Sequence, residues 1–320
     1  MGLRKVNETS KVDLVGVGLN ATDTVILVPQ HPAAGSKVES PSVSILPGGQ
    51  VATAVIACQQ WGMRTRYVGK LGDDPAAALH RQEFARAGVD AQLVPAPGCA
   101  SQQAFILVDS QGERTVIWQR DGQLTLHPDE LNPDWIVNSR ALLVDGYDTA
   151  AATTAAGWAR AAGIPVIADL DDVYPDVQSM LEKIDYLIVS RDFPEQLCGE
   201  TRLRNSLPLL QRRYGCRLTA ATLGSGGVLA WDGEQLHYAC AYRVPVVDTT
   251  GAGDIFHAGF IYGLLQDWPL QRQLDFACAA AALNCTGVGA RGGIQRSEAI
   301  ESLLANGSRY PAAYDSSKLL

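Results

Sequence analysis

Short runs of β-branched and apolar residues alternate along this chain with longer stretches whose apolar positions recur at helical spacing. "VDLVGVG" (12–18), "TRYVGK" (65–70), "ALLVDG" (141–146), "IPVIADL" (164–170) and "DYLIVS" (185–190) read as strands. "GGQVATAVIACQQWG" (48–62), "DPAAALHRQEFARAG" (74–88) and "TAAGWARAAG" (154–163) read as helices. Apolar strands without polar alternation are strands covered on both faces, so the pattern predicts an α/β fold: a doubly wound, mostly parallel sheet flanked by helices. The C-terminal half repeats the logic with "RLTAATLG" (217–224) and a hairpin-like pair, "GGVLAWDG" (226–233) and "EQLHYACAYRVPVV" (234–247). Helices are expected at 252–266 and 270–286.

Two segments break the alternation. About 24–47 and 100–120, strand-like runs are joined by turns, the second with "DSQG" at its tip, and neither has a helix behind it. They are expected to leave the main sheet as a small β flap; the alternative is a pair of ordinary edge strands. With no low-complexity linker and no solenoid-period repeat, residues 1–320 read as a single domain.

Composition narrows the partners. A chain of 320 residues with 47% hydrophobic and 19% charged content can bury a substantial core. A formal charge of -8 offers no basic field for nucleic acid and no Lys/Arg run for an anionic membrane. The longest apolar stretches fall short of the roughly 20 residues a spanning helix needs. "MGLRKVNETSK" lacks the apolar centre of a secretory signal, and Val6 breaks the myristoylation pattern. Seven cysteines without a C-x-x-C pair suggest neither a disulfide framework nor a zinc knuckle, and fit a reducing cytoplasm.

The densest chemistry lies in "VVDTTGAGDIFHAGF" (246–260), where the run "VPVV" is expected to be a strand leading through glycines into a helix. Glycines let backbone approach a ligand, and the free N–H groups of a first helical turn form an anion site. Asp254 stands at that turn, able to take a proton from a hydroxyl aimed at a phosphoryl group held by Gly251, Ala252 and Gly253. The plainer reading is an acid that complements a helix dipole behind an ordinary turn. A helix N-terminus is expected to lower the carboxyl pKa of Asp254, which suits a group that mainly orients the hydroxyl while the proton leaves late. Other phosphate loops fail: Arg64 occupies the first glycine position of a Walker pattern ending at Gly69-Lys70, and "GVGLNA" (16–21) runs on into strand, not helix.

"DTTGAGD" before an apolar helix resembles the C-terminal signature of the ribokinase-like (phosphofructokinase-B type) carbohydrate kinases, which include ribokinase, fructokinases, ketohexokinase and adenosine kinase. "GGQVATAV" (48–55), "VGKLGDD" (68–74) and "TLGSGG" (222–227) resemble further family motifs in the same order, so the likeness spans the chain. It implies a doubly wound sheet carrying a small β lid, with the sugar between them. It implies that Asp23 binds sugar hydroxyls, as a carboxylate accepts from a vicinal diol, and that Gly48 and Gly49 offer backbone N–H groups. Gln50 and Thr53 stand where many members carry Lys or Asn and then Asn, so the sugar contacts have changed. Arg120 is expected to reach a phosphate or anionic group, or to be a solvated surface arginine.

On the nucleotide side the resemblance implies Thr222, Gly224, Ser225 and Gly227 around ATP, with Cys278 near adenine. Asp248 and Thr250 match a monovalent-cation site of some relatives, which implies potassium. The family's N-x-x-E pattern is replaced by Ser190 and Phe193, leaving Glu195 as the nearest acid; Mg²⁺ is expected to arrive with ATP. His257, one turn past Asp254, reads as a packed helix histidine, without an H-E-x-x-H metal pattern. The resemblance therefore implies an ATP-dependent sugar kinase acting on a primary hydroxyl, with Asp254 as base, and a homodimer through the lid. The alternatives are a nucleoside or sugar-phosphate kinase of the same fold, or a non-catalytic sugar or nucleotide sensor.

Overall fold

The apolar runs are strands because helices cover them on both faces. The computed structural model describes residues 12–312; the N-terminal segment read above for targeting signals, and residues 313–320, lie outside the described residues. In chain order the elements are β1 (Leu14–Val17), β2 (Ala21–Leu27), β3 (Ser42–Gly48), α1 (Gln50–Gln60), β4 (Thr65–Leu71), α2 (Pro75–Ala87), β5 (Asp90–Pro95), β6 (Gln103–Val108) and β7 (Arg114–Gln119). Then come α3 (Pro133–Ile136), β8 (Ala141–Asp145), α4 (Thr149–Ala161), β9 (Val166–Leu170), α5 (Val177–Leu181), β10 (Tyr186–Ser190), α6 (Phe193–Cys198) and α7 (Leu203–Tyr214). The chain closes with β11 (Leu218–Thr222), β12 (Val228–Trp231), β13 (Leu236–Ala239), α8 (Ala252–Leu265), α9 (Leu270–Asn284) and α10 (Ser297–Asn306).

The main sheet has nine strands in the order β13-β12-β11-β10-β9-β8-β1-β4-β5. The strands from β11 through β5 run parallel, and β12 and β13 are antiparallel to their neighbours. Strand alternation splits the core between two faces: Ile167 of β9 packs in the layer of α1, α8 and α9, whereas Val166 and Ala168 pack in the layer of α4 and α7. The strand order reverses at β1, which lies between β4 and β8. A crevice therefore opens at the carboxyl ends of the strands there, the usual ligand position in an open α/β sheet.

The two misfit segments form a second sheet of four strands, ordered β3-β2-β6-β7. Their register gives this sheet two unlike faces. Asp23, Ala104 and Trp118 are cross-strand partners on the inner face, and Val25, Ile106 and Val116 continue it. Thr24, Ile45, Phe105 and Ile117 share the outer face.

The last strand of the hairpin is shorter than its sequence pattern predicts. "EQLHYACAYRVPVV" is strand only over Leu236–Ala239; beyond it the chain is irregular, with a single bridge from Tyr242 to Arg309. Pro245 has no N–H to give a ladder, and Val247 N–H instead donates to Cys285 O at the end of α9 (2.8 Å). The glycine turn therefore follows a pinned loop, not a strand.

Candidate active site

Between the inner face of the small sheet and the carboxyl ends of the main strands lies a cavity of about 670 Å³. Its centre is the turn leading into α8. Asp248 is fully buried and holds that turn: Oδ1 accepts from Thr250 N–H (2.8 Å) and Oδ2 from Gly289 N–H (2.7 Å). Gly251 is the N-cap of α8 at φ 77, and a Cβ there would run into the backbone of Ala290, so only glycine fits. Helix geometry leaves the first-turn N–H groups without partners inside α8, although Ala252 N–H donates to Thr249 O at 3.3 Å, and Gly251, Ala252, Gly253 and Asp254 all line the cavity. The tip of the small sheet closes on this turn: Thr249 N–H and Oγ1 both donate to Gly112 O, at 3.3 and 2.9 Å, and Arg114 Nη1 donates to Thr249 O at 3.2 Å.

Burial lifts the Asp254 carboxyl above its ordinary value, with Arg114 and His257 pulling it back. The depression expected from the helix N-terminus is thus outweighed by desolvation, which makes Asp254 a better base than its place in the chain suggests. His257 is a packed histidine, as expected. Its Nδ1 lies 2.8 Å from Gly253 O and 3.3 Å from Asp169 Oδ2, and its Nε2 lies 3.2 Å from Ile188 O. The ring therefore ties the first turn of α8 to β9 and β10. Burial pushes its imidazole down and the Asp169 carboxyl up.

At one end of the cavity stands Asp23, on the inner face of β2 and only 4% exposed. Burial pushes its carboxyl up to about 7 against the pull of Arg291. A Cβ on Gly48 would strike that carboxylate, and Gly49, at φ 96, abuts the backbone of Asn20. The glycine pair is therefore required by close approach. Gly49 and Gln50 line the cavity, and Gln50 Oε1 is buried without a partner.

Gly48 and Thr53 do not line it. They are held from behind by Arg291, which the sequence reading missed: Nη2 donates to Gly48 O (2.8 Å), Nε to Thr53 Oγ1 (3.1 Å), and Nη1 pairs with Glu83 of α2. An arginine inside the otherwise small-residue stretch "GVGARGG" was the one available signal.

Arg120 departs from both expectations. It is neither in the cavity nor free in solvent, because Asp148 at the start of α4 takes its Nη2 at 2.8 and 2.7 Å and Leu124 O takes it at 2.9 Å. Arg114, at the other end of β7, lines the cavity instead.

At the opposite end, Thr222 ends β11, Gly224, Ser225 and Gly227 follow it, and all four line the cavity, as does Cys278. Burial raises the Cys278 thiol well above its ordinary value, so it packs as an apolar group. Ser190 lines the cavity and donates to Asp171 O (2.9 Å), while Phe193 is buried in the core. Glu195 is exposed in the first turn of α6 and lies outside the cavity; Asp169 and Asp171 supply the acids there. Among the described residues no group of three or more His, Cys, Asp or Glu side chains is arranged to hold a metal. Beside Asp248, Thr250 Oγ1 and Asn284 Oδ1 are buried without partners, and Asn284 Nδ2 donates to Thr250 O (3.2 Å) and Ala290 O (3.0 Å).

Residues 11–296 match the family model described as pfkB family carbohydrate kinase. A 5-dehydro-2-deoxygluconokinase of Geobacillus kaustophilus is 27% identical over 263 residues, covering 74% of this chain and 78% of the relative. The ribokinase of Bacillus subtilis is 25% identical over 298 residues, covering 90% and 98%. Among solved structures, a ribokinase candidate from Agrobacterium tumefaciens superposes with a TM-score of 0.85 at 28% identity, covering 92% of this chain and 97% of that one. The ribokinase of Arabidopsis thaliana in complex with ribose and ATP has a TM-score of 0.78 at 23% identity, covering 92% and 99%.

Proposed function

The chain belongs to the pfkB family of carbohydrate kinases, and from that premise we propose an ATP-dependent sugar kinase that phosphorylates a primary hydroxyl, with Asp254 as its base. One observation carries the reading: a carboxylate and a row of helix N-terminal amides share a single cavity, with Asp23 at one end and the 222–227 loop at the other. In this reading ATP lies along Thr222, Gly224, Ser225 and Gly227, with Cys278 packed toward its base. Its γ-phosphoryl group meets the N–H groups of the Gly251–Gly253 turn. The acceptor lies against Asp23, Gly49 and Gln50 and under the small sheet, which acts as a lid. Asp254 aligns the hydroxyl; as the acceptor oxygen bonds to phosphorus and the bond to the ADP oxygen breaks, the hydroxyl proton passes to Asp254. The amides and Arg114 are already aimed where charge gathers, so little reorganisation is needed. Ile106, Val116 and Trp118 on the inner lid face keep water from competing as acceptor.

Mg²⁺ would come with the nucleotide and neutralise phosphate charge, since it retains waters and favours phosphate oxygens; Asp169 and Asp171 are the carboxylates within reach of that shell. The unpartnered Thr250 Oγ1 and Asn284 Oδ1 beside Asp248 form an oxygen-rich spot suited to K⁺. ADP release measured with Mg-ATP and a panel of sugars tests the reading, with parallel arms in EDTA and with sodium replacing potassium. Sugar-dependent ADP release that EDTA abolishes is expected. ADP release indifferent to sugar, or none at all, would overturn the kinase assignment; equal rates in sodium and potassium would remove the K⁺ site alone.

The lid also carries the proposed homodimer. Its outer face exposes Val43 (60%), Ile45 (66%) and Ile117 (62%) beside Phe105, an apolar patch along paired strands. Such a patch on a sheet is an association surface, and a second copy supplies a matching one. Light scattering is expected to give a dimer for the native chain and a monomer for Ile45→Glu/Ile117→Glu. A native monomer at micromolar concentration removes the proposal.

A further inference from the structure

Resting on the kinase reading above, we infer that the acceptor is an uncharged, hydroxyl-rich molecule and not a carboxylate- or phosphate-bearing one. The inference comes from the charges that face the cavity and from those that do not. Among the described residues, Arg114 is the single Lys or Arg lining it. That guanidinium is committed to the transfer corner: it donates to Thr249 O, and after burial it is the largest influence on Asp254. There it meets the phosphoryl charge of the nucleotide.

The other cations near the cavity are already matched. Arg291 is 7% exposed and held by Glu83, Thr53 and Gly48; Arg120 is held by Asp148; Lys70 is held by Glu130 at 2.6 Å. Recruiting Arg291 or Arg120 to an anionic acceptor would strand a largely buried carboxylate, Glu83 or Asp148, and recruiting Lys70 would break its pair with the half-buried Glu130. Facing the acceptor instead are Asp23 and Asp254, with Asp169 and Asp171 beyond them. An acidic group placed among these would meet like charge in a partly desolvated space.

The unpartnered atoms agree. Gln50 and Gln102 each present a buried side-chain oxygen that lacks a hydrogen-bond partner, and both residues line the cavity. The two amides serve a donor or an acceptor by turning over. Once ionised, the carboxylates have only oxygens to offer, and a ligand that brings O–H donors suits them. A polyol does so at several carbons, and a carboxylate or phosphate replaces donors with acceptors.

The test uses matched pairs differing in one charged group: ribitol against ribonate, glucitol against gluconate, and fructose against fructose 6-phosphate. Turnover is followed by ADP release in the native chain, and binding by calorimetry in Asp254→Asn. In each pair that reacts or binds, the neutral member is expected to exceed the charged one by on the order of 10²-fold in kcat/KM or affinity. Gln50→Lys, which adds a cation beside Asp23, is expected to narrow that gap by at least about 10-fold. A charged member that equals or beats its neutral partner overturns the inference, as does binding by no neutral sugar. Neutral binding without ADP release from any sugar leaves the inference standing and removes the catalytic reading instead.

Discussion

Asp254→Asn is expected to lower kcat by on the order of 10² to 10⁴ while leaving the fold and ATP affinity close to native. The amide is the same size and can still accept a hydrogen bond through its oxygen, so the first turn of α8 keeps its geometry. It cannot take the acceptor's proton. The loss should therefore fall on kcat more than on either KM, the pattern of an interaction made chiefly in the transition state. The pH profile sharpens the test. Because burial raises the Asp254 carboxyl above its ordinary value, the native kcat at saturating acceptor should fall as pH drops through that raised pKa, and this limb in kcat should vanish in the variant. Tryptophan fluorescence and ATP titration establish whether the variant is folded and loaded. A folded, ATP-binding Asp254→Asn enzyme with near-native kcat would mean that another group receives the proton.

Legibility in the sequence followed locality. Strands such as β8 and β9 are apolar at every position but their aspartates and buried at every position, so their pattern announced a sheet covered on both faces. The glycine turn was equally plain, because Gly251 answers to a backbone conformation and Asp254 to a place three residues on. β5 escaped notice: "DAQLVP" mixes polar and apolar residues, as befits an edge strand. The irregular run after β13 was misread for the opposite reason. Tyr242 is apolar enough for a strand but is buried in the layer of α8 and α9, and nothing in a linear pattern separates ladder pairing from that kind of packing.

The two arginines of β7 and its exit make the same point. Arg114 opens the strand and Arg120 follows its last residue, and which of them faces the cavity depends on a carboxylate at Asp148 that only the fold brings near. The raised pKa of Asp254 was likewise invisible, since desolvation is a property of the closed cavity and the helix dipole is the only influence a sequence displays.

Arg291→Met should produce the largest loss of stability, about 3 to 5 kcal/mol, and a change in acceptor use that stability alone does not explain. The guanidinium joins three parts of the molecule: Gly48 where the lid enters α1, Thr53 within α1, and Glu83 on α2. Removing it leaves Glu83 largely buried with Arg86 as the remaining cation acting on it, and a buried charge that loses its bonded partner costs more than the pair contributed. Chemical denaturation of Arg291→Met, Glu83→Gln and the double variant separates these effects, and the double variant should recover much of the loss.

The second signature is in the pH dependence. Arg291 is the largest influence holding the Asp23 carboxyl down against burial, and with it that group lies at about 7. Asp254 and Asp248 raise it further, and Arg114 is the remaining cation opposing them. Without Arg291, Asp23 must therefore titrate above 7. If the ionised carboxylate accepts the sugar hydroxyls, acceptor kcat/KM rises as pH climbs through the Asp23 pKa. Its acid limb should then move to higher pH in the variant, with the ATP KM little changed. The sign for stability is the reverse: an aspartate whose folded pKa exceeds its unfolded value binds a proton only in the folded state between the two, so its contribution falls as pH rises from about 4 toward 7. Arg291→Lys retains a charge but not the three-way fork, and it should restore the pH limb more fully than the stability. A variant merely loosened in its packing would lose activity evenly across pH, and that result would reduce Arg291 to a structural tie.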